Sequence, residues 1–183
     1  MGKSKVWLPY GGEHLLQRVV RIVGEVACPV VVAARPRQRV PVLPDHVSVV
    51  RDKLRNAGPL AGVVAGFEAL AERCDAAFVV SCDHPLLKAS FIARLIGLLG
   101  GHPAAIPQHE GRLYPLTAVY RLKTRGILDR LLAAGERRAH QFAKACRGRM
   151  VTAADLHAAD PQLDSLLNVN DPDAYERARG VSD

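Results

Sequence analysis

The sequence predicts an α/β fold built on a largely parallel β-sheet. Short β-branched runs alternate along the chain with longer amphipathic stretches, which is typical of strands that alternate with helices. The strongest strand is predicted at residues 76–83 (AAFVVSCD), because a continuous apolar run that ends in polar residues suits a strand buried on both faces. We therefore expect this strand at the centre of the sheet.

The remaining elements follow in order along the chain. A first helix at residues 14–26 places its apolar side chains on one face, namely Leu15, Leu16, Val19, Val20 and Val23. The β-branched runs PVVVAA and VSVVRD predict strands at residues 29–34 and 47–52. Further helices are predicted at residues 60–73, 90–99, 124–134, 138–146 and 172–179, and further strands at residues 104–107, 116–121 and 149–152.

Three of these helices carry terminal signals. Ser90 is predicted to be the N-cap of the helix at residues 90–99. Gly135 occupies a C-cap position after the helix at residues 124–134. Asp171 is predicted to cap the last helix, with Pro172 at its first position, where a missing N–H costs nothing.

The composition indicates a single globular domain spanning residues 1–183. The chain is 49% hydrophobic and 23% charged, which excludes the disordered, collagen and coiled-coil classes. No repeat, low-complexity tract or linker marks a second domain. No apolar run reaches the roughly 18 residues that a membrane span needs, and the N-terminus has no apolar signal segment. We therefore expect a cytoplasmic protein that does not engage a membrane.

Cysteine spacing and charge narrow the function classes further. The four cysteines are scattered and form no C-x-x-C pair, so neither a disulfide framework nor a zinc site is expected, and the thiols should be free. The net charge is +7, and residues 1–55 hold ten Lys/Arg against four Asp/Glu. With 5% aromatic residues, no basic helix and no stacking motif, the chain is not expected to bind nucleic acid.

Two aspartates follow predicted strands at their carboxyl ends, where ligands gather in open α/β sheets. Asp83 is the last residue of the strand predicted at residues 76–83, and Asp52 is the last residue of the strand predicted before it, at residues 47–52. Carboxylates at neighbouring strand ends suit Mg²⁺, which takes one or two protein oxygens and fills its other positions with water and phosphates. An Asp just ahead of a Pro-containing turn is also a common turn residue, but its position after a buried strand favours a function. His84, beside Asp83, is as well explained by a structural role as by a role in the site.

Small residues open the helix that lies between these aspartates. Gly58, Pro59, Leu60, Ala61 and Gly62 form a turn with little side-chain bulk, so a nucleotide could approach the backbone N–H groups of the helix start. The alternative is an ordinary helix N-terminus, since Pro is common at the first helical position. The position between two strand-end aspartates favours nucleotide binding.

Five short motifs occur in an order and spacing that are typical of one family. They are Met1-Gly2-Lys3-Ser4-Lys5, Gly58-Pro59-Leu60-Ala61-Gly62, Cys82-Asp83-His84-Pro85, Gly135-Glu136-Arg137-Arg138 and Asn168-Val169-Asn170-Asp171-Pro172. Through these motifs, which run nearly from end to end, the chain resembles the molybdenum cofactor guanylyltransferases.

The resemblance implies a Rossmann-like three-layer α/β/α nucleotidyltransferase fold and a specific reaction. The family transfers GMP from GTP to molybdopterin, which yields the guanine dinucleotide form of the cofactor and pyrophosphate. GTP and molybdopterin are therefore the expected partners, and molybdoenzyme-maturation proteins are further candidates. The resemblance implies that Asp83 holds Mg²⁺ and that Lys5 contacts the triphosphate, so these two are the expected catalytic residues.

The remaining site residues are also assigned through the resemblance. Asp52 and the turn at residues 58–62 are expected to contact the nucleotide, and Asn168 and Asn170 are expected to face the pterin. The alternative for the two asparagines is a polar turn before the last helix. Their spacing places both amides on one side of an extended segment, which favours a shared ligand.

Two features depart from the family pattern. The chain has Ala34-Arg35 where many members have Asn, and the family motif includes a first strand, a Gly-Gly turn and an Arg ahead of the position of Met1. We therefore expect the N-terminal strand to be missing from the sheet. A start codon assigned too far downstream explains this best, because the later motifs are intact; the alternative is a catalytically impaired binding remnant.

Within the enzyme class, the alternatives are a cytidylyltransferase for the same cofactor and another transferase for sugar or alcohol phosphates, and the Asn168-Val169-Asn170 segment favours guanine.

Overall fold

The structure, a computed structural model, describes residues 4–54 and 58–180. Helices and strands alternate along most of the chain. In order, the elements are β1 (Pro9–Tyr10), β2 (Glu13–His14), α1 (Leu15–Gly24), β3 (Val31–Ala34), β4 (Ser48–Arg51), α2 (Pro59–Leu70), β5 (Ala76–Val80), α3 (Ala89–Leu99), β6 (Ala104–His109), β7 (Arg112–Leu113), β8 (Thr117–Arg121), α4 (Arg125–Ala133), α5 (Ala139–Cys146), β9 (Arg149–Val151), α6 (Ala153–Leu156) and α7 (Pro172–Gly180). None of the helices in these described ranges is long and apolar enough to cross a bilayer.

Every predicted helix and strand is present, with ends that differ by a few residues. The elements that were not predicted are short: β1, β2, β7 and α6. β1 and β2 form a hairpin around Gly11 and Gly12, whose φ angles of 57° and 82° suit a two-residue hairpin turn. The Gly-Gly pair was the available signal, but two-residue strands are too short to produce a visible period.

The strands form a β3–β4 pair and a separate five-stranded sheet. β3 and β4 are parallel, with Val31 opposite Ser48 and Ala34 opposite Arg51. In the larger sheet β8 lies between β5 and β6 and is antiparallel to both, while β9 pairs parallel to β6 and β7 pairs antiparallel to it. The predicted α/β class is confirmed, with a sheet that mixes parallel and antiparallel pairs.

Helices cover both faces of these strands and produce the three predicted layers. One apolar cluster joins α1 and α3 to Phe78 and Val119, and a second joins α2, α4 and α5 to Val79 and Tyr120. Neighbouring residues of β5 and of β8 thus enter opposite clusters, as the two-residue period of a strand requires. α2 packs against β3, β4 and β5, so it spans both groups of strands.

The prediction of a central β5 is wrong for the described residues. β5 is the end strand of the five-stranded sheet, where it pairs with β8 alone. All five of its residues are half-buried, although helices cover both of its faces. The apolar run correctly indicated that both faces of β5 are covered. It did not indicate whether strands pair with both edges of β5.

The three predicted helix caps have different outcomes. The C-cap of α4 is Ala134, and Gly135 lies one residue further on, where its φ of 78° and its hydrogen bond to the Leu132 carbonyl close the helix end. Asp171 accepts a hydrogen bond from the Ala174 N–H at 2.8 Å, which confirms the N-cap of α7. The prediction that Ser90 is the N-cap of α3 is wrong, because α3 already begins at Ala89. The Ser90 hydroxyl donates instead to the Ala159 carbonyl.

Candidate active site

Asp83 lies in the turn that follows β5 and is the most fully engaged carboxylate of the candidate site. Its Oδ2 accepts a hydrogen bond from Lys5 Nζ at 2.8 Å, and its Oδ1 accepts one from the Ser81 hydroxyl. Only 8% of the residue is exposed. Burial favours the neutral acid, but the hydrogen bonds from Lys5 and Ser81 outweigh it and hold the pKa of Asp83 below its ordinary value. The carboxylate is therefore charged at neutral pH.

Lys5 joins three distant parts of the chain at this point. It lies in a 3₁₀ turn, Lys5–Trp7, and its Nζ also donates to Asn170 Oδ1 at 2.6 Å. The turn is anchored by Val6, which is buried in the apolar cluster that contains α1 and α3. The structure thus brings together three of the predicted site residues, Lys5, Asp83 and Asn170.

The segment that carries the two asparagines is tied to Asp83 through its backbone. The Val169 N–H donates to the Asp83 carbonyl at 2.9 Å, and the Val169 side chain is buried in a third apolar cluster. Asn168 and Asn170 flank this anchor; Asn168 is half-buried and Asn170 is exposed. Both predicted residues therefore lie beside the Asp83 turn.

His84 and Ser81 are site residues that sequence reasoning did not assign. The His84 ring is 2% exposed; its Nδ1 lies 3.1 Å from the Ser165 carbonyl and its Nε2 lies 3.0 Å from the Thr117 hydroxyl. Burial lowers the pKa of His84, so the ring is neutral. His84 therefore has the structural role, linking the Asp83 turn to β8 and to the C-terminal segment. The sequence feature that could have identified Ser81 is its position two residues before Asp83.

The turn before α2 provides a second part of the candidate site. Gly58 is the N-cap of α2, with φ 59° and ψ −149°, and Pro59 is the first helical residue. Leu60 and Ala61 are buried in the protein interior and do not line the cleft, so of the predicted turn only Gly58, Pro59 and Gly62 are available to a ligand. Gly62 lies one turn further along the helix and faces Ala33 of β3.

Asp52 follows β4, as predicted, but not beside Asp83. Its N–H donates to the Ala34 carbonyl at 3.0 Å, which extends the β3–β4 pairing by one residue. The expectation that Asp52 and Asp83 follow neighbouring strands is wrong, because β3 lies between β4 and β5. The error arose from chain order, which does not give the order of strands in a sheet.

A cleft of about 1690 Å³ extends from Lys5 and Ser81 to the turn before α2, whereas Asp83, Asn168 and Asn170 are not part of its lining. It runs between β3 and β5, and its lining includes the predicted residues Lys5, Asp52, Gly58, Pro59 and Gly62. Two arginines of the loop after β3 also line it, Arg35 and Arg37. The residues Met1, Gly2 and Lys3 of the first family motif lie outside the described residues.

The chain is similar to one known family along most of its length. A profile of the MobA-like NTP transferase domain matches residues 1–161. A probable molybdenum cofactor guanylyltransferase of Mycobacterium tuberculosis is 35% identical over 174 residues, which covers 93% of this chain and 82% of that protein. Another, from Chloroflexus aggregans, is 33% identical over 165 residues, which covers 88% of this chain and 77% of that protein.

Solved structures resemble the fold over nearly the whole chain. Molybdopterin-guanine dinucleotide biosynthesis protein A from Archaeoglobus fulgidus has a TM-score of 0.77 at 24% identity, covering 99% of this chain and 91% of its own. The 2-C-methyl-D-erythritol 4-phosphate cytidylyltransferase of Thermus thermophilus has a TM-score of 0.74 at 18% identity, covering 99% and 94%. At these identities the likeness establishes a shared α/β fold.

Proposed function

We propose that this chain, which belongs to the MobA-like NTP transferase family, transfers GMP from GTP to molybdopterin with the help of Mg²⁺ and releases pyrophosphate. The observation that carries the proposal is that Lys5, which lines the cleft between β3 and β5, contacts both Asp83 and Asn170. These side chains come from three remote segments, and their chemistry matches what the reaction needs.

Nucleotidyl transfer depends mainly on positioning and on neutralising negative charge. Lys5 is a half-buried ammonium group at the end of the cleft, so it can pair with the triphosphate once a nucleotide enters. At the N-terminus of α2, Gly58, Pro59 and Gly62 line the cleft with little side-chain bulk, and the positive end of the helix dipole favours an anionic group there. Arg35 and Arg37 add positive charge along the lining.

The donor set fits Mg²⁺ in the way nucleotide enzymes use it. Mg²⁺ commonly takes one or two carboxylates and completes its coordination with water and substrate phosphates. Asp83 offers one charged carboxylate in contact with Lys5, and residues 4–54 and 58–180 contain no cluster of three or more His, Cys, Asp or Glu suited to a metal. When bound, Mg²⁺ would neutralise charge on the α-phosphate and on the leaving pyrophosphate.

The chain's own residues then direct the reaction. A phosphate oxygen of molybdopterin attacks the α-phosphorus of GTP; the new P–O bond forms as the bond to the β-phosphate breaks, and pyrophosphate leaves with the electron pair. Lys5 stabilises the departing phosphates. Asn168 and Asn170, beside the Asp83 turn, orient the pterin, because amides can both donate and accept hydrogen bonds.

Guanine is the base we propose, and pyrophosphate release tests it. The purified chain is incubated with molybdopterin and Mg²⁺, and with either GTP or CTP. We expect faster release with GTP; faster turnover with CTP would identify a cytidylyltransferase instead. Asp45→Asn, which neutralises an exposed aspartate before β4, is the control for charge, and Asp83→Asn should abolish the release. Nucleotide binding without release in the unmodified chain would favour the binding remnant.

A further inference from the structure

We propose that Lys88 and Asp160 are positioning residues for the acceptor substrate. Together they hold the segment at residues 165–170, which carries the two asparagines of the candidate site, in a fixed position beside Asp83. The proposal rests on the proposed function, since it requires that these asparagines face the pterin.

Asp160 is a fully buried carboxylate that links Lys88 to this segment. Its Oδ1 accepts a hydrogen bond from Lys88 Nζ at 2.7 Å, and its Oδ2 accepts one from the Ser165 N–H at 2.8 Å. Burial favours the neutral acid, but these hydrogen bonds outweigh it and hold the pKa of Asp160 below its ordinary value. Because none of Asp160 is exposed, it acts through the segment and does not touch a substrate.

Lys88 holds the start of the same segment at two further points. Its Nζ also donates to Asp164 Oδ2 at 2.8 Å, and its backbone N–H donates to the Ser165 hydroxyl at 3.0 Å. Lys88 is the N-cap residue of α3, a helix of the protein core. Hydrogen bonds to charged groups are shorter and stronger than neutral ones, so these links fix the start of the segment to the helix.

The segment continues from this anchor directly into the candidate site. The Ser165 carbonyl lies 3.1 Å from His84 Nδ1, and the Val169 N–H donates to the Asp83 carbonyl at 2.9 Å. Three residues separate Ser165 from Val169, so a displacement at Ser165 would also move the asparagines that flank Val169. A shift of about 1 Å in a group that positions a substrate can cost about 10²-fold in rate.

The chemistry of the link favours positioning over stability alone. A buried ion pair contributes little net stability, because the cost of desolvating both charges offsets most of their attraction. Apolar packing of similar volume would hold the segment at least as firmly. The hydrogen bonds of Asp160 have fixed directions, and they therefore specify one arrangement of the segment.

Substitution of Asp160 tests this role. Asp160→Asn keeps the shape of the side chain and leaves no buried charge unpaired, but it replaces one accepting oxygen by an NH₂ donor, so one link is lost. We expect the Kd for molybdopterin, measured by equilibrium dialysis, to rise by about tenfold. The KM for GTP should change by less than about twofold, whereas a merely structural defect would alter both values. Asp45→Asn, the same charge change in the loop before β4, is the control and should alter neither.

Substitution of Lys88 provides a rescue test. Lys88→Met removes both charged links and should raise the Kd for molybdopterin at least as much as Asp160→Asn does. Lys88→Arg keeps a cation with several donors and should recover most of the affinity. Lys144→Met, the same change at an exposed position of α5, is the matched control. Equal Kd values in Lys88→Met and Lys144→Met would overturn the proposal, and if Lys88→Met does not fold, Asp160→Asn still decides.

Amide hydrogen exchange gives a readout that does not depend on a substrate. In Asp160→Asn we expect the amides of residues 165–169 to exchange at least about tenfold faster, while those of β8 stay unchanged. Faster exchange with an unchanged Kd for molybdopterin would overturn the positioning role and leave a structural link.

The outcomes also separate this proposal from the proposed function. If the original chain binds molybdopterin but releases no pyrophosphate from GTP, the proposed function fails, and a weaker Kd in Asp160→Asn still supports positioning. If the original chain releases pyrophosphate and Asp160→Asn has an unchanged Kd, positioning fails and the proposed function stands. If the original chain does not bind molybdopterin, both are overturned.

Discussion

Strands β8 and β5 lie side by side in one sheet and have similar apolar sequences, yet they are buried to different extents. In β8, Thr117, Ala118, Val119 and Tyr120 are each at most 1% exposed, whereas all five residues of β5 are half-buried. Helices cover the faces of both strands. The difference lies at the edges: within the part of the chain that the structure describes, β8 has β5 and β6 as neighbours, and β5 pairs with β8 alone. A strand's burial therefore depends on its edges as much as on its faces.

The same contrast extends to the two sides of the candidate site. On the β5 side, Asp83 is held by hydrogen bonds from Lys5 and Ser81, and the backbone of Val169 is tied to it. On the β3–β4 side, Asp52 and the Gly58 turn line the open cleft. We infer that the β5 side carries the charge-dependent chemistry and that the β3–β4 side contributes mainly to nucleotide binding.

The largest expected effect tests this division. Asp83→Asn keeps the side-chain shape but removes the charge, and we expect it to lower kcat for pyrophosphate release by at least about 10²-fold. Asp52→Asn should instead raise the KM for GTP by about tenfold and leave kcat nearly unchanged. Steady-state kinetics of both variants provide the measurement. Equal losses of kcat would show that the two sides share the chemistry.

The next effect concerns the strands themselves. Val119→Ala in β8 deletes fully buried carbons, and we expect it to lower the free energy of unfolding by about 2 kcal/mol. Val79→Ala, the same change in β5, should cost only about 1 kcal/mol, because Val79 lines the cleft and is only partly buried. Urea denaturation of the two variants gives both values. A cost at Val79 as large as that at Val119 would mean that the unpaired edge of β5 does not affect its packing.

The contrast between β5 and β8 also shows what could be predicted from the sequence. Periodicity and turn residues located the helices and strands, because local side-chain patterns reflect which faces are covered. Pairing is set by distant segments, so neither the edge position of β5 nor the separation of Asp52 from Asp83 could be read from the chain. Ser90 shows the same limit at a helix end, where a carbonyl remote in sequence, that of Ala159, competes for the hydroxyl.

The family motifs indicated candidate residues for the site but not the contacts between them. Lys5, Asp83 and Asn170 were predicted one by one, and the structure brings them within hydrogen-bond distance. The supporting roles of Ser81 and His84 depend on partners such as Thr117 and Ser165, which no motif contains. The sequence thus predicted residues that the structure places in contact, while their roles stay predictions; the network that orients them could not be predicted.

The Gly58 turn allows a smaller test on the β3–β4 side. Gly58→Ala forces a side chain into a conformation with φ 59° and ψ −149°, and we expect it to lower the free energy of unfolding by about 1 kcal/mol.

Gly62→Ala places its Cβ 3.5 Å from that of Ala33, an ordinary contact, and should change stability by less than about 1 kcal/mol in either direction. Gly62→Ala should nevertheless raise the KM for GTP, since the added methyl group lies on the cleft. Thermal denaturation and kinetics of the two variants separate the structural glycine from the one that leaves room for a nucleotide, and an unchanged KM in Gly62→Ala would place the nucleotide elsewhere.

The smallest expected effect concerns the pH dependence of the β5 side. Hydrogen bonds from Lys5 and Ser81 hold the pKa of folded Asp83 below its ordinary value of 3.8, so the folded state favours the carboxylate. This stabilisation is present above the unfolded-state pKa and is lost as the pH falls through the lower pKa of the folded state. Because Lys5 is partly exposed, we expect the contribution to stay below about 1 kcal/mol.

The free energy of unfolding is measured as a function of pH for the original chain and for Asp83→Asn, with Asp45→Asn as the charge-matched control. Below about pH 4 the original chain should lose stability relative to Asp83→Asn. A difference between the two that stays constant with pH would mean that the contacts to Lys5 and Ser81 do not favour the charged form, and the β5 side would then lose its distinction from the β3–β4 side.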